Sequence, residues 1–130
     1  MGSREVIVAD THTWVWWAAE RYKLSPDAFK ELENADDIAI ASITLWEIAM
    51  LVEKKRLTIN RDVLSWLEDA IAGTHARVLP LTPTIAALAS SIPLRDPADR
   101  LIAATALTHN ASLITKDDRI RTSGVVETIW

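Results

Sequence analysis

The sequence predicts an α/β domain of three layers, in which helices cover both faces of a mainly parallel sheet of four to five strands. Short β-branched apolar runs alternate with longer helical patterns, and this alternation is typical of βαβ units. The predicted strands cover residues 5–9, 37–41, 77–81, 112–115 and 125–129. Pro80 lies inside the third run, so we expect this strand to end there or to lie at a sheet edge.

The helix starts are well marked in the sequence. A capping side chain precedes a proline at the first helical position three times, in Ser25-Pro26, Thr82-Pro83 and Asp96-Pro97. Two more helices are predicted between the second and third strands. One covers residues 43–55 after Ser42, and the other covers residues 61–72 after Asn60 and ends at Gly73.

Length and composition narrow the class of protein. The 130 residues predict a single domain over residues 1–130, in which residues 1–3 are consistent with a cloning remnant. The absence of cysteine excludes disulfides and thiolate metal sites. No apolar run approaches the roughly 20 residues of a membrane span, so we expect a cytoplasmic protein with no membrane partner. The net charge of −4 argues against binding nucleic acid by bulk charge alone.

Two acidic residues follow predicted strands. Asp10 comes directly after the first strand, and Asp117 comes two residues after the fourth. In open α/β sheets the functional crevice lies beyond the carboxyl ends of the strands, where neighbouring strands would bring these carboxylates together. Each aspartate could equally be a helix N-cap, since Asp is a favoured capping residue.

Two further acidic residues lie on predicted helices. Glu47 shares a helix face with Ile43, Met50 and Leu51, and burying an ionised carboxylate there costs several kcal/mol unless a cation or a proton offsets it. The alternative is a glutamate at the edge of the stripe, paired with a basic residue such as Lys54 or Arg100. In Asp96-Pro97-Ala98-Asp99 we assign Asp96 to the helix cap and Asp99 to the chemistry.

Four converging carboxylates need a counter-charge. At roughly 4 Å and an effective dielectric near 20, each like-charge pair costs about 4 kcal/mol. Ligation by oxygen alone suits Mg²⁺ or Mn²⁺, which restores positive charge where a phosphate must bind. Asp10, Glu47, Asp99 and Asp117 are therefore the candidate catalytic residues and metal ligands.

Aromatic and basic side chains give secondary candidates. His12 lies beside the proposed site, and we favour an ordinary helix-turn role for it. Trp14 and Trp17 share a helix face that predicts core packing, with an aromatic interface to a partner chain as the alternative. Base stacking is less favoured for tryptophans so early in the fold. Basic residues cluster at Lys54-Lys55-Arg56 and at Lys116, Arg119 and Arg121, as solvated helix ends or as phosphate contacts.

Four segments together resemble the VapC-type PIN domain, in the same order and at similar spacing along nearly the whole chain. They are VIVADTHTWVWW, IAIASITLWEIAM, LRDPADRLIAATAL and LITKDD. The resemblance implies a metal site at Asp10, Glu47, Asp99 and Asp117, with Thr115 and Thr11 as supporting residues. Departures from the family pattern surround these carboxylates, at Leu94, Ala98 and Lys54-Lys55-Arg56.

The resemblance also implies a function. Similar proteins are Mg²⁺- or Mn²⁺-dependent endoribonucleases that cut structured RNA, often tRNA. They are the toxins of type II toxin–antitoxin pairs, are inhibited by a cognate antitoxin and usually form homodimers. We therefore expect a toxin ribonuclease that assembles with an antitoxin into a hetero-oligomer.

Alternatives from other classes remain. A non-catalytic PIN-like module could use the acidic pocket only for structure while it binds RNA or protein. A receiver-like signalling domain would need a phospho-acceptor aspartate after its middle strand, and the segment RVLPLT offers none. A haloacid-dehalogenase-type phosphatase would need D-x-D after the first strand, where this chain has Asp10-Thr11-His12.

Overall fold

A sheet of five parallel strands forms the centre of the molecule. The computed structural model describes residues 6–130. The strands are β1 (Val6–Ala9), β2 (Asp37–Ala41), β3 (Arg77–Leu79), β4 (Ser112–Ile114) and β5 (Thr128–Ile129). Their spatial order is β3-β2-β1-β4-β5, and every neighbouring pair is parallel. The predicted sheet is thus confirmed, and only its predicted first residue, Glu5, lies outside the described residues.

Seven α-helices connect the strands of residues 6–130. They are α1 (Thr11–Ala19), α2 (Pro26–Asn34), α3 (Ile43–Glu53), α4 (Val63–Thr74), α5 (Pro83–Ala89), α6 (Pro97–Thr108) and α7 (Asp118–Ser123). The three predicted caps before proline are confirmed. Ser25, Thr82 and Asp96 each accept a hydrogen bond from a backbone N–H in the first turn of α2, α5 and α6. In this part of the chain no helix is both long and apolar enough to cross a membrane.

The side chains of β1 alternate between two core layers. Val8 packs with helices α5 and α6 on one face, whereas Ile7 and Ala9 pack on the opposite face with the helices nearer the start of the chain. Both faces are therefore covered, which explains why the strands are continuously apolar in sequence. Helix α6 is the most deeply placed helix, with five consecutive buried residues from Ile102 to Ala106.

Some predicted boundaries are wrong by one to three residues. Helix α4 is capped by Asp62, not Asn60, because the Asp62 carboxylate accepts a hydrogen bond from the Ser65 N–H at 2.8 Å. The same helix continues through Gly73 and ends at His75, which adopts a left-handed φ of 54°. Strand β5 starts only at Thr128, because the chain bends at Val125 and Val126 after α7. Sequence propensity predicts which helices and strands occur better than it predicts where each one begins and ends.

The third strand ends just before its proline. Strand β3 stops at Leu79, so Pro80 follows it, and β3 lies at the edge of the sheet as predicted. Helix α3 ends at Glu53, two residues before its predicted end, and Lys55 turns into the left-handed region with φ 59°. These changes leave the helix that carries Glu47 intact.

Candidate metal centre

The two strand-end aspartates lie side by side because β1 and β4 are neighbours in the sheet. Ala9 pairs with Ile114, so Asp10 and Thr115 are the next residues of adjacent strands. The Thr115 hydroxyl donates to the Asp10 Oδ2 at 2.6 Å and accepts from the Asp117 N–H at 3.1 Å. Thr115 is fully buried. One threonine therefore joins both aspartates and fixes their relative position.

Asp10 and Asp117 also cap helices. The capping role that the sequence left open for them is therefore present, and it does not exclude a role as metal ligands. Asp10 Oδ1 accepts from the Thr11 N–H at 2.8 Å at the start of α1. Asp117 Oδ1 accepts from the Arg119 N–H at 2.8 Å at the start of α7. Each carboxylate thereby lies at the positive end of a helix, where backbone N–H groups stabilise negative charge.

A chain of threonine hydroxyls orients Glu47. The Thr11 hydroxyl donates a short hydrogen bond to the Glu47 Oε1 and lies 3.1 Å from the Thr44 hydroxyl. Since Thr11 has only one hydroxyl proton, Thr44 must donate to Thr11 when Glu47 is ionised. Thr11 and Thr44 are both buried. Thr44 is a supporting residue that the sequence analysis missed, although its i+3 spacing to Glu47 places both on one helix face.

Asp99 lies in the first turn of α6, behind its capping residue Asp96. Asp96 accepts its capping hydrogen bond from the Ala98 N–H at 2.8 Å, not from Asp99. Within residues 6–130, the Asp99 carboxylate has no observed hydrogen bond or ion pair. The residue is partly buried. Of the four carboxylates, Asp99 is therefore the one that most requires a counter-ion.

Three of the four carboxylates, Asp10, Glu47 and Asp99, have a raised pKa. Burial raises the pKa of Asp99 to about 7, and the charges of neighbouring acidic groups add to the increase. These groups are Asp10, Asp96, Asp117 and Glu47. Burial likewise raises the pKa of Asp10 and of Glu47, while hydrogen bonds from Thr115 and Thr11 oppose the increase. Such mutual perturbation is a mark of functional sites.

Basic residues do not neutralise this cluster in the part of the chain that the structure describes. The ion pairs found there do not include Asp10, Glu47 or Asp99, and only Asp117 has a partner, Arg119 at 3.7 Å. The alternative partner proposed for Glu47, Arg100, instead donates to the backbone carbonyl of Leu94. The charge of three carboxylates is therefore available to a bound cation.

The carboxylate oxygens of this cluster are ligands that suit a hard divalent cation. Among residues 6–130, no three acidic or histidine side chains are close enough to enclose a metal ion by themselves. Mg²⁺ usually keeps several waters and is held by one or two carboxylates together with substrate phosphate oxygens, so an open arrangement suits it. These side chains therefore form an open site, at which a bound ion would keep some of its waters.

A cavity of about 360 Å³ opens beside the aspartates. Its walls are Asp10, His12, Thr13, Trp16, Lys116 and Asp117. His12 and Lys116 are exposed, whereas Trp16 is half-buried. The cavity therefore combines carboxylates, a cation and an aromatic surface in one opening.

The tryptophans of α1 have different environments. Trp14 is fully buried and meets Trp66 edge-on at 5.9 Å, and Trp17 is buried against Phe29 at 5.7 Å, which confirms their predicted core role. Trp16 faces the cavity instead. The Lys54-Lys55-Arg56 cluster is exposed at the end of α3.

Comparison with known proteins agrees with this fold. A family model described as PIN domain matches residues 7–124. The chain therefore belongs to the PIN domain family. Ribonuclease VapC22 of Mycobacterium tuberculosis is 42% identical over 118 residues, which cover 88% of this chain and 89% of VapC22. This identity confirms the VapC-type resemblance of the sequence.

Solved structures share the same architecture. VapBC2 from Rickettsia felis, bound to a DNA fragment from its promoter, matches with a TM-score of 0.70 at 17% identity, covering 95% of this chain and 97% of that one. FitAcB from Neisseria gonorrhoeae matches with a TM-score of 0.64 at 23% identity over 95% and 96%. VapBC-5 from Mycobacterium tuberculosis matches with a TM-score of 0.62 at 19% identity over 95% and 97%. At these identities the structures support the fold.

Proposed function

We propose that this protein is a Mg²⁺- or Mn²⁺-dependent endoribonuclease that acts as the toxin of a type II toxin–antitoxin pair. One observation carries the proposal. Four carboxylates from four separate segments, Asp10, Glu47, Asp99 and Asp117, lie at the carboxyl edge of the sheet, and burial together with the charges of its acidic neighbours, the other three included, raises the pKa of Asp99 to about 7. The 42% identity to a ribonuclease supports RNA as the substrate of such a site.

Asp10, Glu47, Asp99 and Asp117 are the proposed ligands, of which one or two would bind the metal ion directly and the others through its bound waters. When bound, Mg²⁺ or Mn²⁺ supplies a water of lowered pKa and neutralises charge on the phosphate under attack. Because the pKa of Asp99 is about 7 in the absence of a cation, about half of the Asp99 side chains carry a proton at neutral pH. Metal binding would require the ionised form and would therefore release a proton from those Asp99 side chains that carry one.

The surrounding residues preorganise the carboxylates. Thr115 and the Thr11 N–H each hold one oxygen of Asp10, so Asp10 would bind a cation through the remaining lone pairs of these oxygens. The Thr11 hydroxyl directs one oxygen of Glu47, and the other accepts no hydrogen bond among residues 6–130. Hydrogen-bond partners of this kind typically change metal affinity by about 10- to 100-fold when removed. We assign Thr115 and Thr11 a supporting role on this basis.

The proposed partners are RNA, an antitoxin and a second copy of this chain. Structured RNA, with tRNA as the leading candidate, is the proposed substrate. Several structural neighbours are toxin–antitoxin systems, which supports a cognate antitoxin as partner. An apolar pocket bordered by Trp46 and Leu81, which are 59% and 53% exposed, offers a surface for a homodimer.

A cleavage assay with neighbouring aspartates as test and control examines the proposal. Total tRNA is incubated with the protein, with and without Mg²⁺ or Mn²⁺, and cut sites are mapped by primer extension. Asp117→Asn removes a proposed ligand but keeps the helix cap, because asparagine caps as well as aspartate. Asp118→Asn removes an exposed carboxylate from the next position and serves as the matched control.

The expected result is site-specific cleavage that requires metal, survives in Asp118→Asn and falls at least a hundredfold in Asp117→Asn. Asp10→Asn, which also keeps its cap, should be equally inactive. Intact tRNA in every reaction, from folded protein free of antitoxin, would exclude tRNA as substrate. If a total RNA pool also stays intact, the protein is a non-catalytic binding module and the proposal is wrong.

A further inference from the structure

We infer that the cavity beside the carboxylates is a stacking site for one unpaired nucleobase, formed by Trp16 with His12 and Lys116. The inference rests on the proposed ribonuclease function and adds to it a substrate requirement. It predicts that the RNA must present an unstacked nucleotide next to the bond that is cut. A base inside a duplex cannot enter this cavity, because its faces are already covered by neighbouring bases.

The geometry of Trp16 is the first reason. Trp16 lies on α1, six residues after Asp10, and lines the same cavity as that carboxylate. The rings of His12 and Trp130 approach Trp16 at 5.9 Å, but their planes are tilted by 53° and 55°. Neither ring stacks flat on the indole. The indole is therefore held in place by its neighbours without being covered by a parallel ring.

The charge distribution is the second reason. The Lys116 Nζ lies over the Trp16 ring, 5.9 Å from its centre, and borders the cavity beside Asp117, so this exposed, flexible side chain must move aside for a base to stack on that face. A nucleotide presents a flat base and a phosphate in a single unit, and these match the indole and the ammonium group. Base stacking on an aromatic side chain is tolerant of sequence because every base has a π-face.

The size of the cavity is the third reason. At about 360 Å³ it lies near the lower end of the roughly 300–1,000 Å³ range of small-molecule pockets. One nucleotide suits that space, whereas an RNA helix does not. The stacking role, which the position of Trp16 in the sequence did not favour, is thus supported by what surrounds the side chain.

Binding of short RNA separates this inference from catalysis. The probes are a fluorescein-labelled adenosine hexanucleotide and a hexanucleotide with the same backbone but no bases. Fluorescence anisotropy is measured in Ca²⁺, and a gel verifies that both probes stay intact. The variants are Trp16→Leu, which keeps apolar packing but removes the aromatic face, Trp16→Phe, which keeps a ring, and Tyr22→Ala, which removes an exposed aromatic side chain elsewhere.

We expect wild-type protein to bind the adenosine probe about 10- to 100-fold more tightly than the baseless probe. Trp16→Leu should lose this preference, Trp16→Phe should keep most of it, and Tyr22→Ala should equal wild type. Lys116→Gln should weaken binding of both probes by a similar factor. Circular dichroism identifies any variant that fails to fold, and Trp16→Phe then provides the comparison.

Equal affinity of Trp16→Leu and wild type for the adenosine probe would overturn the inference. The inference would also be overturned if Trp16→Leu bound RNA normally and lost only affinity for a protein inhibitor, since the cavity would then be a protein-docking site. The proposed function fails in a different way. Base-dependent binding without any metal-dependent cleavage would contradict the nuclease, whereas wild-type cleavage by Trp16→Leu would contradict only the stacking site.

Discussion

Replacing Asp99 with asparagine should stabilise the protein in the absence of metal. The pKa of Asp99 is raised from 3.8 to about 7, chiefly by burial. Each tenfold change in acid dissociation is worth about 1.4 kcal/mol, so ionised Asp99 costs the folded state up to about 4 kcal/mol. Because the side chain is partly exposed, solvent screening reduces this to about 2–4 kcal/mol. Asparagine is isosteric and carries no charge to be repelled.

The pH dependence gives the sign of the effect. The folded pKa of Asp99 lies above its unfolded value, so the folded state binds the proton more tightly. Its destabilising contribution is absent below about pH 4, grows as the pH rises and is complete above about pH 7. The stability of Asp99→Asn should therefore equal that of wild type near pH 4 and exceed it at pH 8. The gain in melting temperature at pH 8 should be on the order of 10 °C.

The assay is thermal unfolding followed by circular dichroism at pH 4, 6 and 8 with a chelator, and then with Mg²⁺. The exposed Glu68 on α4 provides a control, because Glu68→Gln should change the melting temperature little at any pH. Mg²⁺ should stabilise wild type more than Asp99→Asn and so narrow the gap. A variant that is no more stable than wild type at pH 8 without metal would refute the reasoning.

Three further predictions concern the supporting residues, the ligands and the core. Thr115→Val should lower Mg²⁺ affinity about 10- to 100-fold in calorimetry, whereas Thr115→Ser should retain it, and equal affinities would contradict the supporting role. Saturating Mg²⁺ should raise the melting temperature of wild type but not of Asp10→Asn, and the same shift in both would exclude Asp10 as a ligand. Trp14→Ala should cost about 3–5 kcal/mol in urea unfolding because Trp14 is fully buried, whereas Tyr22→Ala, at an exposed position, should stay within about 1 kcal/mol of wild type.

Periodicity and helix-capping signals predicted the fold well. Prolines after capping residues marked the starts of α2, α5 and α6, and each of those caps makes its hydrogen bond. The boundaries of α4 were wrong because Asn60 and Asp62 are both acceptable caps, and only the path of the chain selects between them. Likewise, Gly73 is tolerated inside a helix when the next turn still forms its hydrogen bonds.

The side-chain network around the carboxylates was harder to predict. Strand order brings Asp10 beside Thr115, although they are 105 positions apart in sequence, and local patterns contain no register between distant strands. Thr44 illustrates the same limit, since a threonine in an apolar helix is indistinguishable from a packing residue until its hydroxyl has a partner. Glu47 was predictable because burial of a carboxylate needs a physical explanation wherever it occurs.

The distribution of hydrogen bonds separates a stable fold from a reactive site. Asp10, Glu47 and Asp117 each receive a hydrogen bond from a neighbouring hydroxyl or backbone N–H, whereas Asp99 receives none among residues 6–130. Three carboxylates are therefore held in place by the protein, whereas the charge of Asp99, disfavoured chiefly by burial and further by its acidic neighbours, is offset by no hydrogen bond. A cation that binds among them would offset part of this cost. Asp99→Asn should therefore gain stability in the absence of metal and lose affinity for metal.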